Sequence, residues 1–599
     1  MAQILDDSSR QVYSIRTVFT RQEKEMAADA GRISPDTLLD GFSEKLDFIQ
    51  KNGIQFQNLG TFGSASRPLL HELPASIGRR NGMQAFDALF PSRDEVLYYS
   101  TLSPFTSIRY MQGARRRAML QTTLAVNPLP LWNLTANYQR LTALRVVNVT
   151  GPDERENDHH SLGVSSHFRN KSGSYRAWAH YRHLNHLSYL TGGAREGGAG
   201  FSDSLFLTPE IMRARLFNDA RMRDLRNCWY ASQVLRGRNG WYLRSIHTRE
   251  KQLHRYGDAR PDSAYYGRDN FFYQADGPQG GQPDSIFVQR TFEVWENTLS
   301  AGRQDSLSDF RLYLKRRNWQ ITNDFLPGSR SGKDNIAGLY LSRRWDELSL
   351  EMTSEFSNQK ESDVKALLSW RGLKLNGRRI SFLPSLIQDD FQSKNLRYTR
   401  SFDRSLAWQF RLEKEFSMKG FSIKPRLEAL NVENGIAFDS SFTPFQTAGR
   451  TEIRYLGVDI RTSLFKRLHS RTSFTKTLQN GPRIAGMPGY TLHTLHWFDL
   501  VKNQKAYAVQ IGFSLDWRTD WTAEMFNGLN GQWYVQQARS VPTYFMMNSF
   551  LHLRIDRVRV YLRVHNTLQG LGSEGYFATP LYPAQQRLFE LGLDWTFFD

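Results

Sequence analysis

Apolar and polar residues alternate along most of this chain, from about residue 105 to its end. In the segment 310–315, Phe310, Leu312 and Leu314 share one face of an extended chain, and Arg311 and Lys315 share the other. The same period of two recurs in segments of about 8 to 15 residues, including 402–416, 505–517 and 557–565. Successive side chains of a strand point to opposite faces, so the pattern predicts strand after strand with one apolar face.

An apolar sheet face of about 500 residues needs a cover. A soluble sandwich or propeller would supply a second sheet or neighbouring blades, and a propeller would repeat every 40 to 50 residues or so, which this sequence does not do. Lipid is the other cover, and aromatic residues end several segments, such as Tyr507 and Trp517. We therefore predict an all-β fold, a transmembrane antiparallel β-barrel of about 22 strands (range about 18 to 24).

The connections between the predicted strands fall into two classes that alternate along the chain. A transmembrane barrel of this type has short turns at its periplasmic end and longer loops outside. The predicted inner turns are NPLP, NKSG, RGRNG, AGRQDS, WDE, LKLNG, SMKG, KRLH, VKNQK and IDR. The predicted outer connections include 141–159, 186–222, 252–288, 432–448, 518–542 and 568–586. Such segregation favours a barrel over a row of soluble domains.

Both ends of the chain carry motifs of a known family. The first hundred residues contain NLGTFGSASRPLL at 58–70, MQAFDALFP at 83–91 and VLYYSTLSPFTSIRYMQG at 96–113. LFNDA at 216–220 and the ending YFATPLYPAQQRLFELGLDWTFFD continue the match, while the middle matches only in pattern and length. These segments resemble the Bacteroidota putative porin family of large outer-membrane barrels. The resemblance implies a bacterial outer-membrane location and a periplasmic N-terminal segment.

Residues 1–104 differ from the rest and form a separate N-terminal segment ahead of the predicted barrel, 105–599. Ser34-Pro35-Asp36 has the residues of a helix N-terminus, and apolar positions then recur near the helical period as far as Asn52-Gly53. We expect one short amphipathic helix there. It acts either as a plug or periplasmic docking element at the barrel mouth, or as a helix that packs against the rim.

Composition narrows the classes of protein further. With 39 Phe, 25 Tyr and 14 Trp the chain is neither disordered nor fibrous, and the single Cys228 excludes an internal disulfide and a Cys-rich metal site. The first residues show no signal peptide, so this numbering begins after cleavage or the protein is cytosolic. The formal charge of +19 also admits a soluble protein that binds nucleic acid, but basic residues are scattered singly over the strands, and we expect no nucleic-acid partner.

No catalytic motif is convincing. GSRSGKD at 328–334 lacks the P-loop spacing, and we interpret it as a polar loop. The acidic segment with His159 and His160 lacks the spacing of a calcium site and is expected to be a solvated loop. His493 and His496 are three apart on a strand, so they face opposite sides. We expect neither enzymatic activity nor a metal or other cofactor.

The barrel interpretation predicts a charged lumen. The residues predicted to line it are Arg109, Arg311, Lys315, Arg411, Arg426, Arg557, Arg559, Arg563, Glu413, Glu590 and Asp594. Cations predominate, so an open lumen would prefer anions modestly, with Arg557, Arg559 and Arg563 as a ladder along one strand. The leading hypothesis is a porin, a passive channel for small hydrophilic solutes. The alternative is a non-conducting barrel subunit of an outer-membrane secretion or assembly complex. Expected partners are outer-membrane lipid, including lipopolysaccharide, and other outer-membrane or periplasmic proteins.

Overall fold

The fold is a closed barrel with an N-terminal segment inside it. The computed structural model describes residues 14–28, 31, 33–44, 50–51, 54–114, 116–145, 155–194, 216, 220–261, 265, 285–324, 328–393, 396–501, 507–571 and 577–598. Within these ranges, 22 antiparallel strands form one barrel, which closes because the last strand pairs with the first, Phe598 opposite Phe105. The predicted fold class is confirmed.

The barrel strands, numbered in chain order, are β1 Phe105–Gly113, β2 Ala118–Leu129, β3 Trp132–Leu144, β4 Arg155–Arg169, β5 Tyr175–Tyr189, β6 Arg221–Arg236, β7 Trp241–Asp258, β8 Ile286–Gln304, β9 Ser308–Asn323, β10 Ser329–Trp345, β11 Leu348–Ser357, β12 Ser362–Trp370, β13 Leu373–Phe382, β14 Ser405–Lys414, β15 Phe421–Glu433, β16 Arg450–Leu464, β17 Leu468–Asn480, β18 Tyr490–Val501, β19 Tyr507–Arg518, β20 Tyr544–Ile555, β21 Val558–His565 and β22 Leu588–Phe598. After Glu415, β14 continues as Phe416–Met418 against the same neighbour.

The two ends of the barrel differ as the sequence predicts. One end, the turn end, has connections as short as 130–131, 346–347, 371–372 and 556–557. The other, the loop end, has 190–220, 259–285, 383–404, 519–543 and 566–587. Because transmembrane barrels have short periplasmic turns, the turn end is the end expected to face the periplasm.

Alternation along the strands sorts side chains to the two faces of the wall. In β21, Val558 and Leu562 point outward, while Arg559, Tyr561 and Arg563 point inward and are buried. Leu562 is 44% exposed, and many other large apolar residues of the outer face are exposed too. In a soluble protein such an exposed apolar surface would promote aggregation, but against lipid it is the favourable arrangement.

Two predicted connections are strands in the structure. LKLNG was predicted as a turn, but Asn376 and Gly377 both lie inside β13, although Asn-Gly is common in hairpin turns. The actual turn is Arg371-Gly372, whose φ angles of 45° and 76° suit a two-residue hairpin. The predicted polar loop at 328–334 is wrong as well, since Ser329 already begins β10.

The predicted helix starting at Ser34-Pro35-Asp36 is wrong over the residues that can be compared. Residues 34–44 form irregular chain and a turn, and 45–49 lie outside the described residues. Gly41 has φ of 64°, which no right-handed helix adopts. Of the apolar positions that suggested the helix, Leu39 and Phe42 are buried, whereas Leu38 is 51% exposed.

The smaller elements lie before the barrel and in its loops. The two α-helices in the described part of the chain are α1, Glu23–Ala28, and α2, Leu386–Asp389. The short strands are Val18–Arg21 with Tyr98–Thr101, Gln50–Lys51 with Ile54–Asn58 and Ser66–Pro68, Asp390–Gln392 with Arg397–Thr399, Ile436–Phe438 with Pro444–Gln446, Met525–Asn527 with Gln532–Tyr534, and Phe577–Thr579 with Tyr582–Pro583. The 3-10 turns are Ile15–Thr17, Asp87–Leu89, Arg93–Glu95 and Arg238–Gly240. Across the described residues, no helix is long and apolar enough to cross a membrane.

Candidate functional site: the occupied lumen

The N-terminal segment runs through the lumen from one end of the barrel to the other; we call its described residues between 14 and 104 the plug. At the turn end, Val18 and Tyr99 pack in one cluster with Phe105 and Phe598. At the loop end, the Gln57 amide donates to the Glu524 carbonyl at 2.8 Å and to Thr579 Oγ1 at 3.0 Å. The described residues of this segment therefore contact the wall and loops at both ends of the barrel.

Helix α1 is fixed to the wall near the turn end through one carboxylate. Glu23 accepts hydrogen bonds from Trp178 Nε1 and Tyr230 Oη, both at 2.5 Å, and pairs with Arg244. Met26 and Tyr98 pack beside Trp178 and Tyr230. Burial raises the pKa of Glu23 above the ordinary glutamate value, and Arg244 opposes that shift. The wall therefore holds α1 by a buried polar contact on β5, β6 and β7.

The glycine loop, residues 58–66, lies at the loop end of the lumen. The Asn157 amide donates to the Phe62 carbonyl at 3.0 Å, and the Arg117 guanidinium lies 4.1 Å from the centre of the Phe62 ring. Arg117 is held in turn by Glu590 at 2.7 Å. A small cavity of about 30 Å³ lies between this loop, Arg518, Tyr544 and the last outer loop.

Further along, the plug is attached by ion pairs. Asp87 pairs with Arg226 at 2.6 Å, and Arg93 pairs with Glu296 at 2.9 Å. Arg79 reaches Asp389 of α2 at 2.7 Å, so an outer loop also folds inward onto the plug. Ion pairs and hydrogen bonds of this kind break more readily than the contacts of an apolar core, because water solvates each partner once it is released.

One stretch of the plug instead makes an apolar contact, which we call the seal. Ile77 is fully buried among inward residues of the loop-end half of the wall, with Leu70 and Leu73 beside it. The wall residues of the seal are Ile336, Ile380, Ala407, Leu430, Val432, Ile453 and Tyr455. Just before Ile77, the plug carbonyls of Pro74 and Ala75 accept hydrogen bonds from Arg378 at 2.6 Å and Lys365 at 3.0 Å.

Below the seal, inward side chains of the turn-end half stay in contact with water. Lys374 is 54% exposed at its side chain, Arg411 46% and Glu351 38%. They lie on β13, β14 and β11, and we call this wet part of the lumen the vestibule. Glu72 of the plug lies near Arg411 and Glu428, and burial raises its pKa. The vestibule is thus a charged aqueous space that ends at the seal.

The residues predicted to line the pore fall into two groups. Arg311, Lys315, Arg411, Glu413 and Arg426 face the lumen on β9, β14 and β15. Arg411 pairs with Glu428 at 2.8 Å, Lys315 with Glu355 at 2.9 Å, and Arg426 lies 3.6 Å from Asp459. This group borders the vestibule, although Lys315 is largely buried.

The second group faces inward beneath the plug and is mostly buried. Asp594 pairs with Arg559 at 2.6 Å and with Arg109 at 3.0 Å. Arg559 also donates to the Leu38 carbonyl and lies 4.4 Å from the centre of the Phe42 ring.

The predicted arginine ladder is corrected by this arrangement. Arg563 and Glu590 are buried, so they do not border open water. Arg557 is not on the strand at all: it lies in the turn before β21, 5.1 Å from the centre of the Phe598 ring. Burial under the plug and the turn at 556–557 therefore break the ladder.

The structure also places the histidine-containing segments that the sequence singled out as possible metal sites. The segment 155–160 is part of β4, and His159 is fully buried, so the prediction of a solvated loop is wrong there; Asp153 and Glu154 lie outside the described residues. His493 faces inward to Asp516 at 2.9 Å while His496 faces outward, as predicted. Within the described ranges, no three His, Cys, Asp or Glu side chains are grouped to hold a metal ion.

Sequence reasoning missed both the contact of Glu23 with the wall and the seal at Ile77. Glu23 lies in a charged stretch that is typical of a solvated helix, and Ile77 lies in a short segment without periodic apolar positions. Neither has a local signal. The glycine loop, in contrast, lies within the motif at 58–70 that carries the family resemblance.

Comparison with known proteins agrees with this architecture. The family described as putative porin matches residues 18–599, which is nearly the whole chain. The chain belongs to the putative porin family. No curated protein matches the sequence.

Solved structures with a similar barrel come from several bacteria. A point mutant of the ferric enterobactin receptor PfeA from Pseudomonas aeruginosa has a TM-score of 0.62 at 11% identity, over 99% of this chain and 100% of that one. The FrpB iron transporter from Neisseria meningitidis (F3-3 variant) has a TM-score of 0.58 at 9% identity, over 83% of this chain and 81% of that one. The siderophore receptor PirA from Acinetobacter baumannii has a TM-score of 0.56 at 9% identity, over 83% of this chain and 81% of that one. At these identities the likeness concerns the fold alone.

Proposed function

We propose that this putative porin family member is an outer-membrane transport barrel for small hydrophilic solutes, closed at rest by its plug. The observation that carries the proposal is the charged vestibule, which leads from the turn end to the apolar seal around Ile77. Narrow apolar constrictions exclude water and so gate pores without a covalent barrier. Passage then requires the plug stretch around Ile77 to leave the wall, after which diffusion is passive.

Two further features support transport as the class of function. The plug is attached to much of the wall by ion pairs and hydrogen bonds, which allow movement at modest cost. The structural neighbours named above are an iron transporter and receptors for iron-carrying ligands. Because that likeness concerns the fold alone, it supports transport in general and no particular solute.

The alternative is a non-conducting barrel subunit of an outer-membrane complex. The filled lumen favours it, since Phe42, Phe62 and Phe86 join the wall and outer loops in one buried cluster. The two proposals differ in whether loosening the seal opens a path for ions.

Substitution at the seal tests the proposal in the full-length protein. In planar bilayers, we expect the wild type to be mostly closed and Ile77→Asp to conduct at least tenfold more often, because a carboxylate among isoleucines draws water into the constriction. Ile77→Val keeps the site apolar and serves as the matched control, with wild-type behaviour expected. If Ile77→Asp inserts as a folded barrel and stays as silent as Ile77→Val, the transport proposal fails and the non-conducting subunit is favoured.

A further inference from the structure

The outer surface of the wall has an open hollow near the loop end, on β1, β2, β3 and β4. Its volume is about 290 Å³. It lies between the outward side chains of Tyr110, Leu120 and Leu144 on the apolar side and three arginines, Arg116, Arg140 and Arg155. Ala118 and Thr142 lie opposite each other at its floor, and their small side chains create the depression between larger neighbours.

Strand register shows why these residues meet on the outside. Leu120 of β2 is opposite Arg140 of β3, and Leu144 of β3 is opposite Arg155 of β4. A bulge at the start of β4 shifts the pairing between Ala143 and Leu144, which turns Arg155 to the same face as Leu144. Arg116 stands in the connection between β1 and β2, where Thr142 Oγ1 donates to its carbonyl at 3.3 Å.

The hollow lies at the outer boundary of the apolar belt. Along β3 the outward residues are Trp132, Leu134, Ala136 and Tyr138, and Arg140 follows directly. From Trp132 to Arg140 the strand rises about 26 Å, and less along the membrane normal because barrel strands are tilted. The arginines therefore stand at the depth where lipid headgroups begin, at the end opposite the short turns.

The charge of the hollow selects an anion. Among the described residues that line it there are three arginines and no carboxylate. Arg140 and Arg116 are exposed, and Arg155 pairs at 3.1 Å with Asp158, a partly exposed neighbour outside the lining. Guanidinium groups bind phosphate oxygens through paired hydrogen bonds, and Leu120 and Leu144 beside them offer an apolar surface to acyl chains.

We propose that this hollow binds the phosphorylated headgroup of a lipid of the outer leaflet. The arginines hold the phosphate, and the adjoining apolar wall holds the chains. The combination favours a lipid over free phosphate, which would gain nothing from the apolar side of the hollow. The site is on the outside of the barrel, so it does not depend on whether the lumen conducts.

Native mass spectrometry of the full-length protein in detergent tests the site, with diphosphorylated lipid A as the probe. We expect bound lipid on the wild type and at least a tenfold loss in the variant Arg116→Gln, Arg140→Gln, Arg155→Gln. Arg140→Gln alone should lose binding several-fold with less change to the surface. The matched control replaces Arg316, Arg343 and Arg379 by Gln, which are exposed outward arginines on β9, β10 and β13. It should bind as the wild type does.

Three outcomes would overturn the proposal. Equal loss in the matched control would mean that only total charge matters. Equal binding of the same lipid without its phosphates would mean that the arginines do not select the headgroup. Displacement of the lipid by millimolar inorganic phosphate would mean that the hollow is a site for free phosphate. In every case a heat-dependent shift in gel mobility shows beforehand that each variant is a folded barrel.

Discussion

Single residues of the glycine loop set how closely the plug and the outer loops approach. Gly60 and Gly63 have φ angles of 84° and 82°, which residues other than glycine rarely adopt. A Cβ on Gly60 would lie 1.8 Å from the carbonyl oxygen of Pro583, and one on Gly63 would lie 2.7 Å from Leu141. The first contact is with backbone, which cannot rotate away. Gly60 is therefore required for the last outer loop to lie on the plug.

Gly60→Ala should destabilise the closed arrangement well beyond the usual cost of a left-handed alanine. That usual cost is about 1 to 2 kcal/mol, and the clash with Pro583 adds to it. The matched control is Gly173→Ala, which also has positive φ (71°) but nothing within 4 Å of the added Cβ. Protease cleavage in 566–587 measures the effect. Equal cleavage of the two variants would contradict the assigned contact.

Helix α1 depends on the barrel wall for its stability. Six residues are far too few for a stable helix in water, so α1 exists because the wall holds it. Glu23 supplies the contact, and its partners come from three different strands. The predicted helix after Ser34 fails for the opposite reason: Leu39 and Phe42 are buried against the wall, but a turn at Gly41 and not a helix brings them there.

Glu23→Ala should release α1 from the wall. Removal of the carboxylate leaves Arg244 buried without its partner, which costs about 3 to 5 kcal/mol. Lys24→Ala is the control, because Lys24 is 74% exposed and its pair with Glu351 contributes little. Hydrogen exchange of residues 14–28 in detergent should rise at least a hundredfold for Glu23→Ala and hardly change for Lys24→Ala. Unchanged protection in Glu23→Ala would show that Met26 and its apolar neighbours suffice.

At the scale of the whole molecule, the plug divides the inward charges into covered and wet ones. Arg559 and Arg563 lie beneath residues 38–43, whereas Arg411 and Arg426 face the vestibule. Charges govern ion selectivity only where ions pass. Arg411 and Arg426 in the vestibule should therefore affect ion selectivity, whereas the covered pair, Arg559 and Arg563, should not. This transfers the predicted anion preference from the ladder on β21 to β14 and β15.

The two pairs can be compared in the conducting background of Ile77→Asp. Arg411→Gln with Arg426→Gln leaves Glu428 and Asp459 without those partners, and should change the permeability ratio towards cations by roughly twofold at low salt. Arg559→Gln with Arg563→Gln should leave the zero-current potential nearly unchanged. A larger shift from the covered pair would mean that ions pass along β21 and that the plug leaves that side when the channel opens.

The sequence by itself determined the barrel, the sidedness of its strands and the segregation of turns and loops. Lipid imposes this pattern locally: every second residue of a strand must be apolar whatever lies elsewhere in the chain. The predicted number of about 22 strands agrees with the barrel of the structure for that reason. Where a local signal was ambiguous, as at Asn376-Gly377, the turn was misplaced because a strand can contain the same dipeptide.

Only the tertiary structure decided where the N-terminal segment lies and which inward charges meet water. Both depend on contacts between residues far apart in the chain, such as Gln57 with Thr579 or Arg559 with Leu38. The lumen is wide and its wall carries both polar and apolar side chains. Periodicity within a strand therefore carries no information about what fills it. The period of two assigns each side chain to the lumen or to lipid, and the path of the plug then determines whether a lumen residue is buried, wet or part of the seal.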